Sequence, residues 1–395
     1  MCGQQHFRDA AKSWGQAVLL KHTASHAFLS TLLFDGRADV PKDEKRAFEL
    51  ASSGAAMGCA HCKGALGRCL IAGAGVAKDA GKGLALGRES AAAGSCFGQY
   101  VVGKCHSDGL GVAQDDAEAV RLWRLAAAQG HSISLYNLGV FFANGQGVAQ
   151  NDAEAVRFWR LAAAQGLARA QFNLGRMLSS GQGVAQDYAE AARFWRLAAA
   201  QGDAQAQLNL GYVLQHGQGV AKDYAEAARI YHLLAAQGNV EAQFSLGDMF
   251  ANGQGVVQND AEAVRLWRLA AEQGDARAQI NLGSMYESGQ GVAQNYAEAV
   301  RLFRLAADGG EAQAQYNLGV MYASGQGVAQ DDAEAVRLYR LAAEQKNVSA
   351  QLNLGVMLHQ GRGVSKDRAE AIRWLRLAAA QGCEEATRNL KRLVA

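Results

Sequence analysis

The residue types best suited to chemistry gather near the amino end. Cys59-Ala-His61-Cys62 has the C-x-x-C spacing of a zinc knuckle, and Cys69, Cys96, Cys105 and His106 follow it. Four deprotonated ligands of this kind, if they converged, would hold a tetrahedral Zn2+. Counted in steps of 36 residues, however, Cys69 and Cys105 share a phase with Leu33, Phe141, Met177, Val213 and Met249, while Cys62 shares one with Ala170, Ala206, Ala242 and Ala278. A free cysteine in an apolar phase behaves as a small hydrophobe. Nucleophilic catalysis is no better supplied. No Ser-x-x-Lys stands in an activating setting, and His216 and His359 have no evident partner. The expectation is a chain that is not an enzyme and uses neither metal nor cofactor.

Those phases exist because the chain repeats. Glycine recurs at 67, 103, 139, 175, 211, 247, 283, 319 and 355, and a G-x-G-V element follows each at a fixed offset. The units are 23–58, 59–94, 95–130, 131–166, 167–202, 203–238, 239–274, 275–310, 311–346 and 347–382, with the first two degenerate. Each reads as two helices. An Asp or Asn (Asp115, Asn151, Asp187 through Asp367) precedes the second, and a glutamate follows three residues later. That is a capping box, in which the side-chain oxygen takes an orphan N–H and the glutamate reaches back. The second helix is expected to run about fourteen residues and stop at a glycine. The first ends at the G-x-G turn. Neither pair can bury its apolar side alone, but stacked pairs can.

The expected organisation is an N-terminal capping segment at 1–22, two degenerate repeats at 23–94, eight regular repeats at 95–382 and a C-terminal capping helix at 383–395. Phe7, Ala10, Ala11, Trp14, Ala17 and Val18 would cover one end of the array; Ala386, Leu390, Leu393 and Val394 would cover the other. Composition agrees with a large packed core. The 395 residues include 46 glycines and one proline, with 49% apolar and 19% charged residues, which fits neither collagen nor disorder. A net charge of +2 leaves no footprint for nucleic acid. No apolar run reaches a membrane span, and MCGQQHFRDAAKSWG lacks a signal core, so a cytoplasmic, reduced, monomeric protein is expected.

Columns can then be weighed. Trp123, Trp159, Trp195, Tyr231, Trp267, Phe303 and Tyr339 keep size rather than chemistry, and read as core together with Leu125 and Ala126. Arginines at 121 and 124, repeated through 373 and 376 with His232 as one exception, are matched by Glu118-type residues three positions before the first and by Glu272, Asp308 and Glu344 four positions after the second, which gives a charge-balanced outer face.

The pattern A-x-A-Q-x-N-L-G-x-M-Y-x-x-G-Q-G-V-A-Q-x-x-A-E-A-V-R-L-W-R-L-A-A, nearly complete at 276–307 and 312–343, resembles the Sel-1-like repeat, a relative of the tetratricopeptide repeat. The resemblance implies an all-α, right-handed α-solenoid with the first helix of each repeat on its concave side. It also implies a scaffold for protein or peptide partners. More specific roles among relatives are adaptors of ubiquitin-ligase or ER-associated degradation complexes, and a cysteine-rich, disulfide-linked branch associated with β-lactam binding or hydrolysis. Repeats 131–382 contain no cysteine, which sets this chain apart from that branch.

On the first helix, positions i, i+4, i+7 and i+11 form one polar stripe with a nearly fixed asparagine and changing neighbours. Asparagine can hydrogen-bond any extended backbone while its neighbours discriminate. The candidate partner-binding residues are Arg169, Asn173 and Arg176; Asn209, Tyr212 and His216; Glu241 and Asp248; and Arg277 and Asn281. Their sign changes along the chain match a segment acidic at one end and basic at the other.

Overall fold

In the computed structural model of the protein, residues 2–20, 22–36 and 40–394 are described, with side chains from residue 8 to residue 393. The side chains of Phe7 and Val394, expected in the end helices, lie outside the described residues. Among the described residues there are 22 helices and no sheet.

Two compact units are formed, Met1–Lys222 and Asp223–Ala395. The first contains α1 (Cys2–Leu19), α2 (Thr23–Asp35), α3 (Glu44–Ala56), α4 (Ala60–Ala72), α5 (Ala80–Ala92), α6 (Cys96–Asp108), α7 (Asp116–Ala128), α8 (Ser132–Asn144), α9 (Asp152–Ala164), α10 (Ala168–Ser180), α11 (Tyr188–Ala199) and α12 (Ala204–His216). The second contains α13 (Tyr224–Ala236), α14 (Val240–Asn252), α15 (Asp260–Glu272), α16 (Ala276–Ser288), α17 (Tyr296–Asp308), α18 (Ala312–Ser324), α19 (Asp332–Glu344), α20 (Val348–Gln360), α21 (Arg368–Ala380) and α22 (Glu384–Val394). Within each unit a first helix packs on the second helix of its own repeat and on that of the repeat before, as α10 does on α11 and α9.

Half of the capping box is present. Asp115 Oδ1 accepts from the Glu118 N–H at 2.9 Å, and Asn151 from Glu154 at 3.0 Å. The glutamates do not reach back. The N–H they would have met already donates across the turn, from Asp115 to the His106 carbonyl at 2.9 Å and from Asn151 to Phe142 at 2.8 Å. Glu118 instead accepts two bonds from Arg121, both 2.7 Å, and Glu298 and Glu334 hold Arg301 and Arg337 alike. These members of the first arginine column are therefore charge-balanced, in solvent-exposed pairs each worth a few tenths of a kcal/mol, while Arg373 lies over the Trp374 ring.

The second arginine column corrects the expected i,i+4 pairing. These side chains turn to the next repeat. Arg160 meets Glu190 at 2.8 Å and Arg340 meets Glu370 at 3.0 Å; Arg268 and Arg304 donate to the hydroxyls of Tyr286 and Tyr322 at 2.9 Å; Arg124 lies 5.6 Å over the Phe142 ring. The Leu125 column also differs from expectation. Ala126 is fully buried, but Leu125 is 44% exposed because two residues along a helix turn it away from the Trp123 side.

The aromatic column does form the core, from Trp123 at 2% exposure to Phe303 at 0%. Trp123, Trp159, Trp195, Trp267, Phe303 and Tyr339 each sit on the recurrent glycine of their own repeat: a Cβ at Gly175 would lie 2.5 Å from Trp195 Nε1. Trp123, Trp159 and Trp195 complete the contact by donating to the carbonyls of Tyr100, Tyr136 and Phe172 at 3.2–3.3 Å. The G-x-G turn is tight for a similar reason. Gly147, at φ 63°, rests against the backbone of Asp116 in the preceding repeat, where a Cβ would come within 2.4 Å.

A glutamine column binds successive second helices. Gln171, buried, donates to the Ala163 carbonyl of the repeat before and accepts from Gln201 at the end of its own second helix at 2.9 Å. Gln243, Gln315 and Gln351 repeat the arrangement. At the ends, Trp14 of α1 stacks on Phe28 at 5.5 Å, and Ala386 and Leu393 of α22 pack against Leu375 and Ala378.

One position is strained. Lys346, at φ 67°, stands where Gly130, Gly166, Gly274 and Gly310 end the other second helices. A side chain in the left-handed region costs about 1–2 kcal/mol, partly offset by the greater unfolded-chain entropy of glycine. Lys346→Gly is expected to raise the unfolding free energy by about 0.5–1 kcal/mol, and Gly310→Lys to lower it; circular dichroism on urea titration checks both.

Candidate partner-binding face

Packing decides which face of each first helix stays open. In α10, Ala170, Gln171, Leu174, Gly175, Met177 and Leu178 are buried against neighbouring helices. Arg169, Arg176 and Ser180 are exposed and Asn173 is half-buried between them. The stripe expected from sequence spacing is the open face.

In the Met1–Lys222 unit this face carries three adjoining cavities. The first, about 730 Å3, is bordered by Phe34, Arg68, Tyr100, Asn137 and Arg169, which come from α2, α4, α6, α8 and α10 in turn. Five successive first helices opening on one cavity place them on the inner side of the stack in this unit. The second, about 370 Å3, shares Tyr136 with the first and is lined by Val140, Asn173 and Arg176. The third, about 640 Å3, shares Arg176 with the second and adds Phe172, Asn209 and Tyr212.

Charge along this groove is unevenly committed. Arg68 is held by both carboxylate oxygens of Asp35, at 3.2 and 2.5 Å, and its guanidinium lies 3.9 Å over Phe34. Lys104 is paired with Asp108 at 2.7 Å. Arg169 and Arg176, at the two ends of the exposed face of α10, have no side-chain partner among the described residues. Tyr212 is 48% exposed and stacked on His216 at 4.1 Å, whose Nδ1 lies 2.8 Å from the Tyr212 carbonyl.

In the Asp223–Ala395 unit the candidate residues bind one another. Arg277 pairs with Glu241 of the preceding repeat at 2.7 and 3.2 Å and with Asp275 at 2.7 Å, and lies over Phe244. Asn281 donates to Asp248 at 3.3 Å. The Trp267 N–H, which lacks the carbonyl bond of Trp123, Trp159 and Trp195, faces that carboxylate without a well-formed hydrogen bond. Burial pushes the Asp248 carboxyl up to about 6, against the opposing effects of Trp267, Arg277 and Asn281. Asn317 accepts from Gln313 at 2.8 Å, so part of the asparagine column is satisfied within the protein.

Sequence spacing missed the groove floor. Tyr136 and Phe172 line the cavities from the position just before each asparagine, with Phe244, Ile280 and Tyr316 in the same phase. An apolar residue fixed beside a polar stripe was the available signal. The candidate zinc ligands do not converge. Cys62, Cys69 and Cys105 are buried among apolar side chains, and among the described residues no group of three His, Cys, Asp or Glu is arranged around one point.

Ten segments of the chain, 23–59, 64–95, 97–131, 132–167, 168–203, 204–239, 240–275, 276–311, 312–347 and 348–383, match the model of the Sel1 repeat. The chain belongs to the Sel1 repeat family. Its all-α solenoid architecture recurs in a protective antigen present in uropathogenic Escherichia coli strains, described as displaying an SLR fold, at 29% identity over 97% of this chain and 90% of that one, with a TM-score of 0.65. A Sel1 repeat protein from Oxalobacter formigenes is 32% identical over 78% of this chain and 90% of its own, with a TM-score of 0.66. No curated protein matches the chain. Among the described residues of this Sel1 array, no helix is long and apolar enough to cross a membrane.

The Asp248 site generates a pH dependence. Its folded state holds the proton more tightly than the unfolded chain, so ionisation subtracts stability as pH rises from the ordinary aspartate range through about 6. Asp248→Asn is expected to be the more stable protein near pH 7.5, by on the order of 1 kcal/mol after allowance for solvent screening, and to lose that advantage near pH 4. Urea unfolding at the two pH values checks it.

Proposed function

We propose that this Sel1 array is a non-catalytic scaffold that holds an extended partner segment on the open face of its first helices, chiefly along α8, α10 and α12. Sel1 repeats typically build protein-interaction scaffolds, and a protein partner accords with the family. The observation that carries the placement is the run of three adjoining cavities floored by Tyr136 and Phe172 and edged by Asn137, Asn173 and Asn209.

Chemistry narrows the partner to an acidic segment with an aromatic or apolar anchor. Arg169 and Arg176 carry uncommitted charge, while Arg68 and Lys104 are already paired. Three half-buried asparagines offer donors and acceptors for a main chain, and Phe172 and Tyr212 border a cavity large enough for a side chain. An extended peptide advances about 3.3 Å per residue and a stacked helix about 8–10 Å, so each repeat would meet a new stretch of about three residues.

Selection of a random peptide library on the intact chain tests this reading. Enriched peptides are expected to be acidic with an aromatic residue, and to lose at least about tenfold in affinity on Arg176→Glu, since a reversed charge replaces attraction with repulsion in a partly dry groove. Arg121→Glu, on the outer face and paired with Glu118, serves as control. Peptides that bind Arg176→Glu and Arg169→Glu unchanged but fail on Arg121→Glu would move the binding face to the second helices.

A further inference from the structure

We propose that Cys59 and Cys62 are a redox-active dithiol, closed reversibly to an intrahelical disulfide by exchange with a low-molecular-weight disulfide. This site is separate from the groove and does not rest on it.

The placement of the two sulfurs carries the inference. Cys59 is the N-cap of α4 and Cys62 lies in its first turn, so the pair spans three residues on one helix face. Three residues apart at the start of one helix, the two side chains lie within one turn of each other. Both join the cluster of Ala27, Ala51, Ala65 and Phe97. Gly54 leaves the space that the Cys62 sulfur fills, since a Cβ there would fall only 2.3 Å from Sγ. Cys59 makes no side-chain cap bond, in contrast to Asp203, Asn239 and Asp275 at the same position of later repeats, which accept from the N–H three residues on. A thiolate at Cys59 would meet those open N–H groups of the first turn.

The two thiols differ in a way that assigns their parts. Cys59 is half-exposed and can be reached from solvent. Cys62 is fully buried, donates to the Thr23 carbonyl at 3.2 Å, and has its pKa driven up by that burial. The intervening His61 ring is held away by Ser95 Oγ at 2.7 Å and by the edge of Phe97.

The chemistry balances. The Cys59 thiolate attacks one sulfur of the external disulfide, forming a mixed disulfide and releasing one thiolate. Cys62, losing its proton, attacks Cys59 Sγ and releases the second. Two cysteine thiols are oxidised by two electrons, one external disulfide is reduced to two thiols, and the two cysteine protons end on the released thiolates. Reopening requires an external thiol to attack Cys59 with Cys62 as leaving group. A buried, high-pKa leaving group makes that step slow, so the closed form persists once made.

The test uses the full chain, equilibrated anaerobically with glutathione at graded ratios of thiol to disulfide, acid-quenched, alkylated and digested with trypsin without reduction. The tryptic peptide 47–63 carries both cysteines. It is expected to change, as the ratio turns oxidising, from a form with two alkyl groups to one with none and two hydrogens fewer. Cys62→Ser should retain glutathione on Cys59, Cys59→Ser should leave Cys62 unmodified, and Cys96→Ser, altering the other cysteine of that cluster, should close as the parent does. Circular dichroism of each serine variant confirms that it is folded. A peptide that takes two alkyl groups at every ratio, a Cys62→Ser variant without bound glutathione, or a Cys59–Cys96 link would each overturn the proposal.

Discussion

An aromatic ring seated on a glycine is the contact from which the rest of the structure follows. A helix pair of thirteen residues each has little surface to bury, and only a close approach lets one large ring fill the space between the two axes. Glycine in mid-helix costs up to about 1 kcal/mol in propensity, yet at 103, 139, 175, 247, 283 and 319 a Cβ would occupy the ring's place. The ring then fixes the rotation of the first helix. With Gly175, Leu174 and Leu178 turned inward, Arg169, Asn173 and Arg176 have no direction left but outward. The candidate groove is thus a by-product of core packing.

Repeats are joined by a second set of contacts with a different chemistry. Buried glutamines tie α10, α14, α18 and α20 each to two second helices, and the second arginine column reaches forward to a tyrosine, a phenylalanine or a glutamate of the next repeat. Both sets act between nearest neighbours, as a one-dimensional array requires. They also leave much of the first arginine column paired within its own helix, and the second column engaged by the next repeat, while Arg169 and Arg176 of α10 have no side-chain partner among the described residues. That asymmetry is the physical ground for placing a partner on the first helices.

Much of this was legible in the sequence because a repeated chain displays each packing position many times. The aspartate and asparagine caps, the aromatic core column and the Glu118–Arg121 balance follow from spacing within one helix. What spacing could not show depends on where distant segments meet. Glu118 has no cap to close because the Asp115 N–H finds the His106 carbonyl across the turn. Arg268 donates to Tyr286 of the next repeat, a partner that spacing within its own helix cannot reveal. The Gln171 role was written in the A-x-A-Q motif, but its partners stand 8 and 30 residues away. Glu241 and Arg277, taken singly, suggested charges aimed at a partner; one repeat apart in the same column, they neutralise each other.

The ring-on-glycine constraint is tested most directly by substituting Gly175 with alanine in two backgrounds, the parent and Trp195→Ala, and measuring unfolding free energy in urea. In the parent, overpacking against the ring should cost about 1–3 kcal/mol. With the ring removed, the same substitution should become neutral or stabilising by up to about 1 kcal/mol, because alanine is then simply the better helix former. A reversal of sign between backgrounds is the predicted result. Equal effects in both, within about 0.5 kcal/mol, would mean that glycine and ring are not coupled and that another contact sets the geometry of the repeat.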